Sequence, residues 1–369
     1  MKILIFAAYY HPHIGGYEKN IAELVNRLLA KGYEIDIVTF NTNKSHSIEC
    51  DMTTNSVIYR LPCWNLLGGT YPIVKICSET FRVFKYIWQK HYDCVVTQTR
   101  FFISSLMGYF MSEIKDIPLI HVERGTRHSA VPNLLVSKLA EIYDHLIATE
   151  IVKRAVINVG VSDSACKFIQ HIGGKNTRTI YNGVTIPKLE KQERQNGYKN
   201  ITFVGRLIYG KGIQDLIVAF NNLRKSHKII LNIAGSGNYG ITLKEQARYD
   251  PCIKFLGECN RRQVDELLSQ TDIFVNPSYS EGLPTSVTEA GAAKVPIVAT
   301  DVGGTNEIIN KMWLIKPHRP DQIEQAVELL LDHENVAEIN AQIVYDTVKR
   351  KFDWNDITDQ WDKLLQGVK

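Results

Sequence analysis

The sequence predicts an α/β protein made of two doubly wound domains in tandem, and three observations carry that expectation. Residues 2–8 form a continuous apolar run, the pattern of a strand buried on both faces. A Gly15-Gly16 loop follows, then Ile21, Leu24, Val25, Leu28 and Leu29 at helical spacing, a stop at Gly32 and the strand "EIDIVTF": one βαβ unit. The pattern then restarts in "KNITFVGRLIYGKGIQDLIVAFNNL", again strand, glycine-bearing loop and helix. A length of 369 residues suits two such domains.

Each half supplies further strands. In the first they fall at 93–98, 117–122 and 155–161; in the second they are "KIILNIAGSG", "IKFLGE", "DIFVNPS" and "PIVATD", with helices between them. The polar, Pro- and Gly-bearing segment "TIYNGVTIPKLEKQERQNGYK" lacks a periodic run, so a linker is expected near 183–197. The domains are then 1–183 and 184–352. The last stretch, "FDWNDITDQWDKLLQGV", puts Trp354, Ile357, Trp361, Leu364 and Leu365 on one helical face, which must dock on one domain or bridge both. Ligands of such sheets sit at the carboxyl ends of the strands, so two Rossmann-like domains are expected to face a central cleft that holds the site.

Composition narrows the class. At 44% hydrophobic and 22% charged residues the chain is ordinary globular protein. "MKILIFAAYYHP" reads as a buried first strand and not as a signal peptide, and no apolar run reaches the roughly 18 residues of a membrane span. Seven scattered cysteines form no C-x-x-C pair, which fits reduced thiols in a cytoplasmic protein. The net charge of +4 is too mild to imply a nucleic-acid partner. Its distribution is uneven: residues 1–184 hold 20 Lys+Arg against 15 Asp+Glu, which hints at an anionic surface or substrate there.

The chemistry concentrates in loops at strand ends. "SEGLPTSVTEAGAA" (280–293) sets Glu281 in the loop leaving the strand "DIFVNPS" and Glu289 inside the following helix. Pro284 suits the first turn, with Thr285 or Ser286 available as caps. Such a pair could be a general acid and base, a metal site or a hydroxyl clamp; alone, it would more often be a solvated loop residue beside a helix-compensating one. Backbone N–H groups of Gly282, Leu283 and the first turn make an anion site. Carboxylates repel phosphate but accept hydrogen bonds from vicinal hydroxyls, so phosphate flanked by sugars, a nucleotide sugar, satisfies the whole stretch. Arg206 and Lys211, beside Gly205 in "FVGRLIYGKG", are suited to its diphosphate, although either alone would read as a solvated surface cation. Gly15-Gly16 is no G-x-G-x-x-G fingerprint, but permits close backbone approach. No D-x-D or H-E-x-x-H sequence occurs, so with Arg206 and Lys211 supplying charge no divalent metal or other cofactor is expected.

"SEGLPTSVTEA" resembles the E-x7-E signature of retaining GT-B glycosyltransferases of family 4, the group 1 transferases. "HIGGYEKN", "VGRLIYGKG", "FLGE" and "VATDVGGTNEII" extend the likeness over essentially the whole chain. The resemblance implies transfer of a sugar from a nucleotide-diphosphate donor (UDP- or GDP-sugar) with retention of configuration. Glu281 would contact the donor sugar, Glu289 the ribose diol, and Arg206 and Lys211 the diphosphate. Gly16 would offer its N–H to phosphate, backbone at Leu256-Gly257 would meet the base, and amides at Gly282–Thr285 sugar and phosphate. It also implies same-face attack, the departing phosphate oxygen taking the acceptor proton, and a C-terminal helix (353–369) that crosses back to the first domain.

Two positions depart from the family pattern. Relatives read roughly "EHGT" where this chain has "ERGTRH", which puts Arg124 at a histidine position and His128 four residues on; either is expected to reach the donor sugar, with His121 structural. Lys294 stands where a glycine is usual before the next strand. For the acceptor, "YPIVKICSETFRVFKYIWQKHY" (71–92) reads as a basic, aromatic helix that is either core or laid on an anionic membrane, such as the inner face of the plasma membrane. The membrane case favours a saccharide or polyprenyl-linked saccharide acceptor in surface-glycan synthesis (capsule, O-antigen). A nucleotide-sugar epimerase of the same fold and a non-catalytic nucleotide-sugar-binding scaffold are the rival classes.

Overall fold

The computed structural model describes all residues except 13–14, 44, 52–55, 67–70, 129–133, 188–196, 249 and 369. The chain divides into two compact units, Met1–Asn182 with Asn355–Lys369, and Gly183–Trp354. Most of the expected linker at 183–197 lies outside the described residues.

In unit 1 the strands are β1 (Lys2–Phe6), β2 (Glu34–Phe40), β3 (Ile48–Asp51), β4 (Ser56–Leu61), β5 (Cys63–Leu66) and β6 (Tyr71–Val74). They continue with β7 (Cys94–Gln98), β8 (Leu119–Glu123), β9 (Ile157–Gly160) and β10 (Thr177–Thr179). Eight of them form one sheet, in the order β10-β9-β8-β7-β1-β2-β4-β3. All its pairs are parallel except β3–β4; helices carry the crossovers β1–β2, β7–β8, β8–β9 and β9–β10 across the sheet faces, whereas β2 reaches β4 through β3. The helices are α1 (Gly16–Ala30), α2 (Ser78–Gln89), α3 (Ile103–Lys115), α4 (Leu134–Tyr143), α5 (Thr149–Arg154) and α6 (Asp163–His171). A π-helical turn at Asp144–Ala148 joins α4 to α5. The apolar run of β1 is buried throughout from Ile3 to Ala8, as a central parallel strand requires.

The stretch 71–92 is not one helix. Tyr71–Val74 pairs antiparallel with Cys63–Leu66, and α2 starts only at Ser78. Pro72 disfavours helical backbone at Tyr71, and Ile73 and Val74 are β-branched. Within α2, Val83 and Ile87 are buried, whereas Phe81, Arg82, Lys85, Tyr86 and Trp88 face solvent.

Unit 2 holds β11 (Lys199–Val204), β12 (Ile229–Ala234), β13 (Ile253–Gly257), β14 (Ile273–Asn276), β15 (Ile297–Thr300) and β16 (Leu314–Ile315). They form an all-parallel sheet in the order β13-β12-β11-β14-β15-β16. Helices α7 (Ile213–Leu223), α8 (Gly240–Gln246), α9 (Arg261–Ser269), α10 (Thr285–Ala292), α11 (Pro320–Asp332) and α12 (Glu334–Lys351) connect and cover it. The strand order reverses between β11 and β14, so the loops leaving those two strands diverge at one switch point.

The last helix, α13 (Trp354–Gln366), belongs to unit 1 from Asn355 onward. Ile357, Trp361, Leu364 and Leu365 are buried, and Lys31 binds Asp359 (2.8 Å) and Asp362 (3.0 Å) while the Tyr33 hydroxyl donates to Asp362 (2.6 Å). The chain enters and leaves unit 2 side by side: Val184 pairs in parallel with Asp353, and a Cβ on Gly183 would meet the Trp354 indole at 2.2 Å.

Candidate functional site

In unit 2, two close backbone approaches build the site before any side chain does. Gly212 has φ +68°, and a Cβ there would lie 2.0 Å from the Pro277 carbonyl oxygen, so the loop after β11 can pack on the end of β14 only with glycine. The Tyr279 N–H donates to the Gly210 carbonyl (2.8 Å) and closes the same contact. On the far side, Gly303 has φ +57° and would place a Cβ 1.9 Å from the Glu281 carbonyl oxygen, and the Gly304 N–H donates to Gly282 (2.7 Å). The loop carrying Glu281 is thus gripped from both sides.

That grip sets Lys211 against Glu281. The ammonium donates to Glu281 Oε1 at 2.6 Å, with the side chains 19% and 10% exposed. Arg206 lies five residues earlier, exposed, and makes no side-chain hydrogen bond or ion pair among the described residues. Its neighbour Gly205 donates to Ala234 (3.0 Å), and a Cβ on Gly235 would meet the Gly205 carbonyl at 1.9 Å.

Helix α10 begins at Thr285, not at Pro284. Pro284 is the N-cap residue with ψ 103°, an extended value that keeps it outside the helix, and no side chain caps the first turn. The expected Thr285 and Ser286 caps are therefore not made; the Thr288 hydroxyl bonds the Thr285 carbonyl (2.8 Å) instead. Leu283 is buried and Gly282 half-buried. One turn in, Glu289 Oε1 accepts from the Arg261 guanidinium at 2.9 Å. Arg261 opens α9, which the Asn260–Gln263 capping box starts just beyond Leu256 and Gly257. Gly257 has φ +72°, and its carbonyl accepts from Gly235 (2.7 Å). Sequence reasoning missed Arg261, because "NRRQ" opening an amphipathic helix reads as a solvated surface; its proximity to "FLGE" is the only local signal. A cavity of 610 Å³ in this unit is lined by Lys199, Asp272, Lys294 and Pro296 at the amino ends of the strands, and contains none of these residues. Lys294 itself has φ +55°, the left-handed turn that a glycine would fill without strain.

In unit 1, Gly15 is the N-cap of α1 and Gly16 its first residue. A Cβ on Gly15 would lie 2.2 Å from Glu18 Oε2, so the buried Glu18 carboxylate folds back over the end of the helix. The Arg124 guanidinium spans Asn182 (2.7 Å) and Gln98 (3.2 Å) and stacks over the Tyr17 ring at 5.1 Å, while its Nε is buried without a hydrogen-bond partner. Burial lowers the Arg124 pKa against the opposing pull of Tyr17, Glu18 and Glu123, and burial raises that of Tyr17 against the Arg124 charge. Behind them Glu123, fully buried, binds Arg100 (3.1 Å) and accepts from the N–H groups of Arg124 (2.8 Å) and Gly125 (2.6 Å). Burial would raise its pKa, but the Arg100 charge, the His121 ring and the Gly125 N–H hold the carboxyl well below the usual range. His121 lies inside β8, buried, with its Nδ1 2.9 Å from the Thr97 hydroxyl.

The structure separates the two candidates offered for the donor sugar. Arg124 belongs to the Gln98–Asn182–Tyr17 group, whereas His128 donates from Nδ1 to Asp144 (2.7 Å) and turns Nε2 to His171 (3.4 Å).

Comparison with known proteins places this architecture. HepE of Anabaena, solved in complex with UDP and glucose, superposes with a TM-score of 0.79 at 17% identity over the whole of both chains. The fold is GT-B, two Rossmann-like units. The family profile of glycosyl transferases group 1 matches residues 186–347, and that of glycosyltransferase family 4 residues 14–186. An uncharacterized glycosyltransferase of Methanocaldococcus jannaschii is 29% identical over an alignment of 390 residues, 100% of this chain and 99% of its own. WbnH of Escherichia coli, an O-antigen biosynthesis glycosyltransferase, is 32% identical over 173 residues, 47% of this chain and 49% of its own. The chain belongs to the group 1, family 4 glycosyltransferases.

Proposed function

We propose that the protein transfers a sugar, with retention of anomeric configuration, from a nucleoside-diphosphate sugar to a saccharide or polyprenyl-linked saccharide acceptor in surface-glycan synthesis. The observation that carries this reading is the pair of cation–carboxylate contacts beside the uncapped start of α10, Lys211–Glu281 and Arg261–Glu289. Each carboxylate keeps acceptor capacity for sugar hydroxyls, and the free N–H groups of α10 between them suit phosphate. Arg206 and Lys211 then balance the charge of the departing diphosphate without a divalent metal. In unit 1 we assign the contact to the donor sugar to Arg124, since the Nδ1 of His128 is engaged by Asp144.

The complex of HepE with UDP and glucose supports the donor class, and the O-antigen role named for WbnH supports the acceptor class. Among the described residues no helix is long and apolar enough to cross a membrane. Exposed Phe81, Tyr86 and Trp88 interleaved with Arg82 and Lys85 on α2 support peripheral contact with an anionic leaflet on the cytoplasmic side. The test is a panel of UDP- and GDP-sugars, with and without lipid extract, in chelator and then in added magnesium or manganese, the product anomer being read by NMR. Transfer with retention in chelator is expected. Inversion, isomerisation of the donor without acceptor, or activity that returns only with added magnesium or manganese would overturn the reading.

A further inference from the structure

Three histidines far apart in sequence meet on the surface of unit 1. His128 lies in the loop after β8, His145 in the π-helical turn between α4 and α5, and His171 is the last residue of α6. One ring nitrogen from each falls within 4.8 Å of the other two. The geometry points to a binding site for a transition-metal ion, zinc by preference, with these three imidazoles as its ligands.

The cluster is arranged as a ligand set and not merely as neighbours. The Asp144 carboxylate can only accept, so its 2.7 Å bond fixes the proton of His128 on Nδ1 and leaves the Nε2 lone pair facing the cluster. A carboxylate behind a ligating imidazole is the usual outer-shell arrangement of histidine metal sites. Asp144 is itself immobilised by Arg100, from Nε (2.8 Å) and Nη2 (3.0 Å). The edge of the His128 ring packs on Phe168 at 5.1 Å, which holds its plane. Zinc–nitrogen bonds of about 2.0–2.1 Å at tetrahedral angles separate two ligand nitrogens by roughly 3.3 Å. His128 Nε2 and His171 Nε2 are 3.4 Å apart.

Behind His128, Arg100 stands against both Glu123 and Asp144, which fixes the carboxylate that orients the ring. Imidazole-only donors select zinc, copper or nickel over magnesium, so such a site is separate from any question of magnesium at the diphosphate. The π-helical turn also has a role here: it sets Asp144 inward, where it orients His128, and its sequence neighbour His145 outward, where it can ligate. With three protein ligands a tetrahedral ion keeps one open position for water. A bound ion would tie the loop 124–128, which also carries Arg124, to the end of α6.

The test needs no substrate and is independent of the proposed transfer reaction. Full-length protein stripped with chelator is titrated with Zn2+ calorimetrically, and with Co2+ while its visible absorption is recorded. One equivalent bound at micromolar affinity or tighter, a tetrahedral cobalt spectrum and a raised Tm with zinc are expected. His145 and His171 are exposed, so the double variant His145→Ala/His171→Ala should fold like the wild type without metal, bind zinc at least roughly tenfold more weakly, and lose the Tm increase. Zinc binding of equal affinity in the wild type and the double variant, or no stoichiometric binding in the wild type, would overturn the proposal.

Discussion

Replacing either cation of unit 2 separates its charge from its structural contribution, because the two are placed differently. Arg206 is exposed and makes no side-chain hydrogen bond or ion pair among the described residues, so Arg206→Ala should change stability by no more than about 0.5 kcal/mol. Lys211 faces a carboxylate only 10% exposed at 2.6 Å; Lys211→Ala leaves Glu281 short of a charged donor and should cost about 1–3 kcal/mol. For turnover the two should behave alike. Removing one preorganised stabiliser of developing charge costs about 2.7–4 kcal/mol, a factor of about 100–1,000 in kcat. The assay follows release of the nucleoside diphosphate with the donor found by the panel, reading kcat and KM, beside chemical denaturation of each variant. The double variant Lys211→Ala/Glu281→Gln sharpens the comparison: with the carboxylate charge gone, stability should largely recover while turnover does not. Either single variant retaining near-normal kcat would refute the assignment of the diphosphate to these cations.

Three further outcomes follow from contacts elsewhere in the chain. Arg100→Met strips the buried carboxylates Glu123 and Asp144 of their shared cation and should destabilise on the order of 3–5 kcal/mol at pH 7. Because Arg100 holds the Glu123 pKa below its unfolded value, that contribution is present above about pH 4.3 and lost as pH falls further, so denaturation curves of wild type and variant should converge in acid. His227 has the opposite sign. Its hydrogen bond to Asp332 (3.0 Å) raises its pKa, against a smaller lowering by burial, so the stability it adds is full below about pH 6.5 and fades as pH rises through the elevated value. His227→Gln should therefore cost up to about 1 kcal/mol at pH 5.5 and less at pH 9, where an undiminished loss would show that charge is not the cause. At Lys294, exposed at φ +55°, Lys294→Gly should be neutral or slightly stabilising in thermal scans while Lys294→Val costs about 1–2 kcal/mol; equal effects would rule out backbone strain.

The fold was legible where burial writes a long pattern. Ile3–Ala8 is an apolar run because it occupies an interior strand of a parallel sheet, "EIDIVTF" is buried from its second residue onward, and α1 shows its buried face at helical spacing. Residues 71–92 were misread because aromatic residues satisfy helical periodicity whether they point inward or outward; of the apolar residues of α2 only Val83 and Ile87 are buried, and the β5–β6 pair has no alternation long enough to announce it. At the site, Lys211 and Glu281 could be placed at strand ends from sequence, since a strand followed by a glycine loop fixes local geometry. Their 2.6 Å contact could not, because it depends on β11 and β14 being neighbours, a matter of sheet order. Arg261 and the meeting of the three histidines were invisible for the same reason. His128, His145 and His171 have no motif spacing, and it is the register of β8 and β9 with the π-helical turn that brings them together.

The paired state of the two glutamates bears on how a donor would enter. A carboxylate offers about four lone-pair positions, and Lys211 and Arg261 bind Oε1 of their partners. Sugar hydroxyls could therefore add to Glu281 and ribose hydroxyls to Glu289 without displacing either cation, whereas a phosphate reaching Lys211 must share the ammonium with Glu281. Lys211 has three N–H donors and can serve both, and its position then depends on the carboxylate that already orients it. On this argument Glu281→Gln, which keeps the shape and the hydrogen-bonding capacity but removes the charge, should weaken catalysis mainly through Lys211. Its kcat should fall in step with that of Lys211→Ala, and the double variant should be little worse than either single one. Strictly additive losses would instead mean that Glu281 acts on the sugar alone and that the 2.6 Å contact serves only stability.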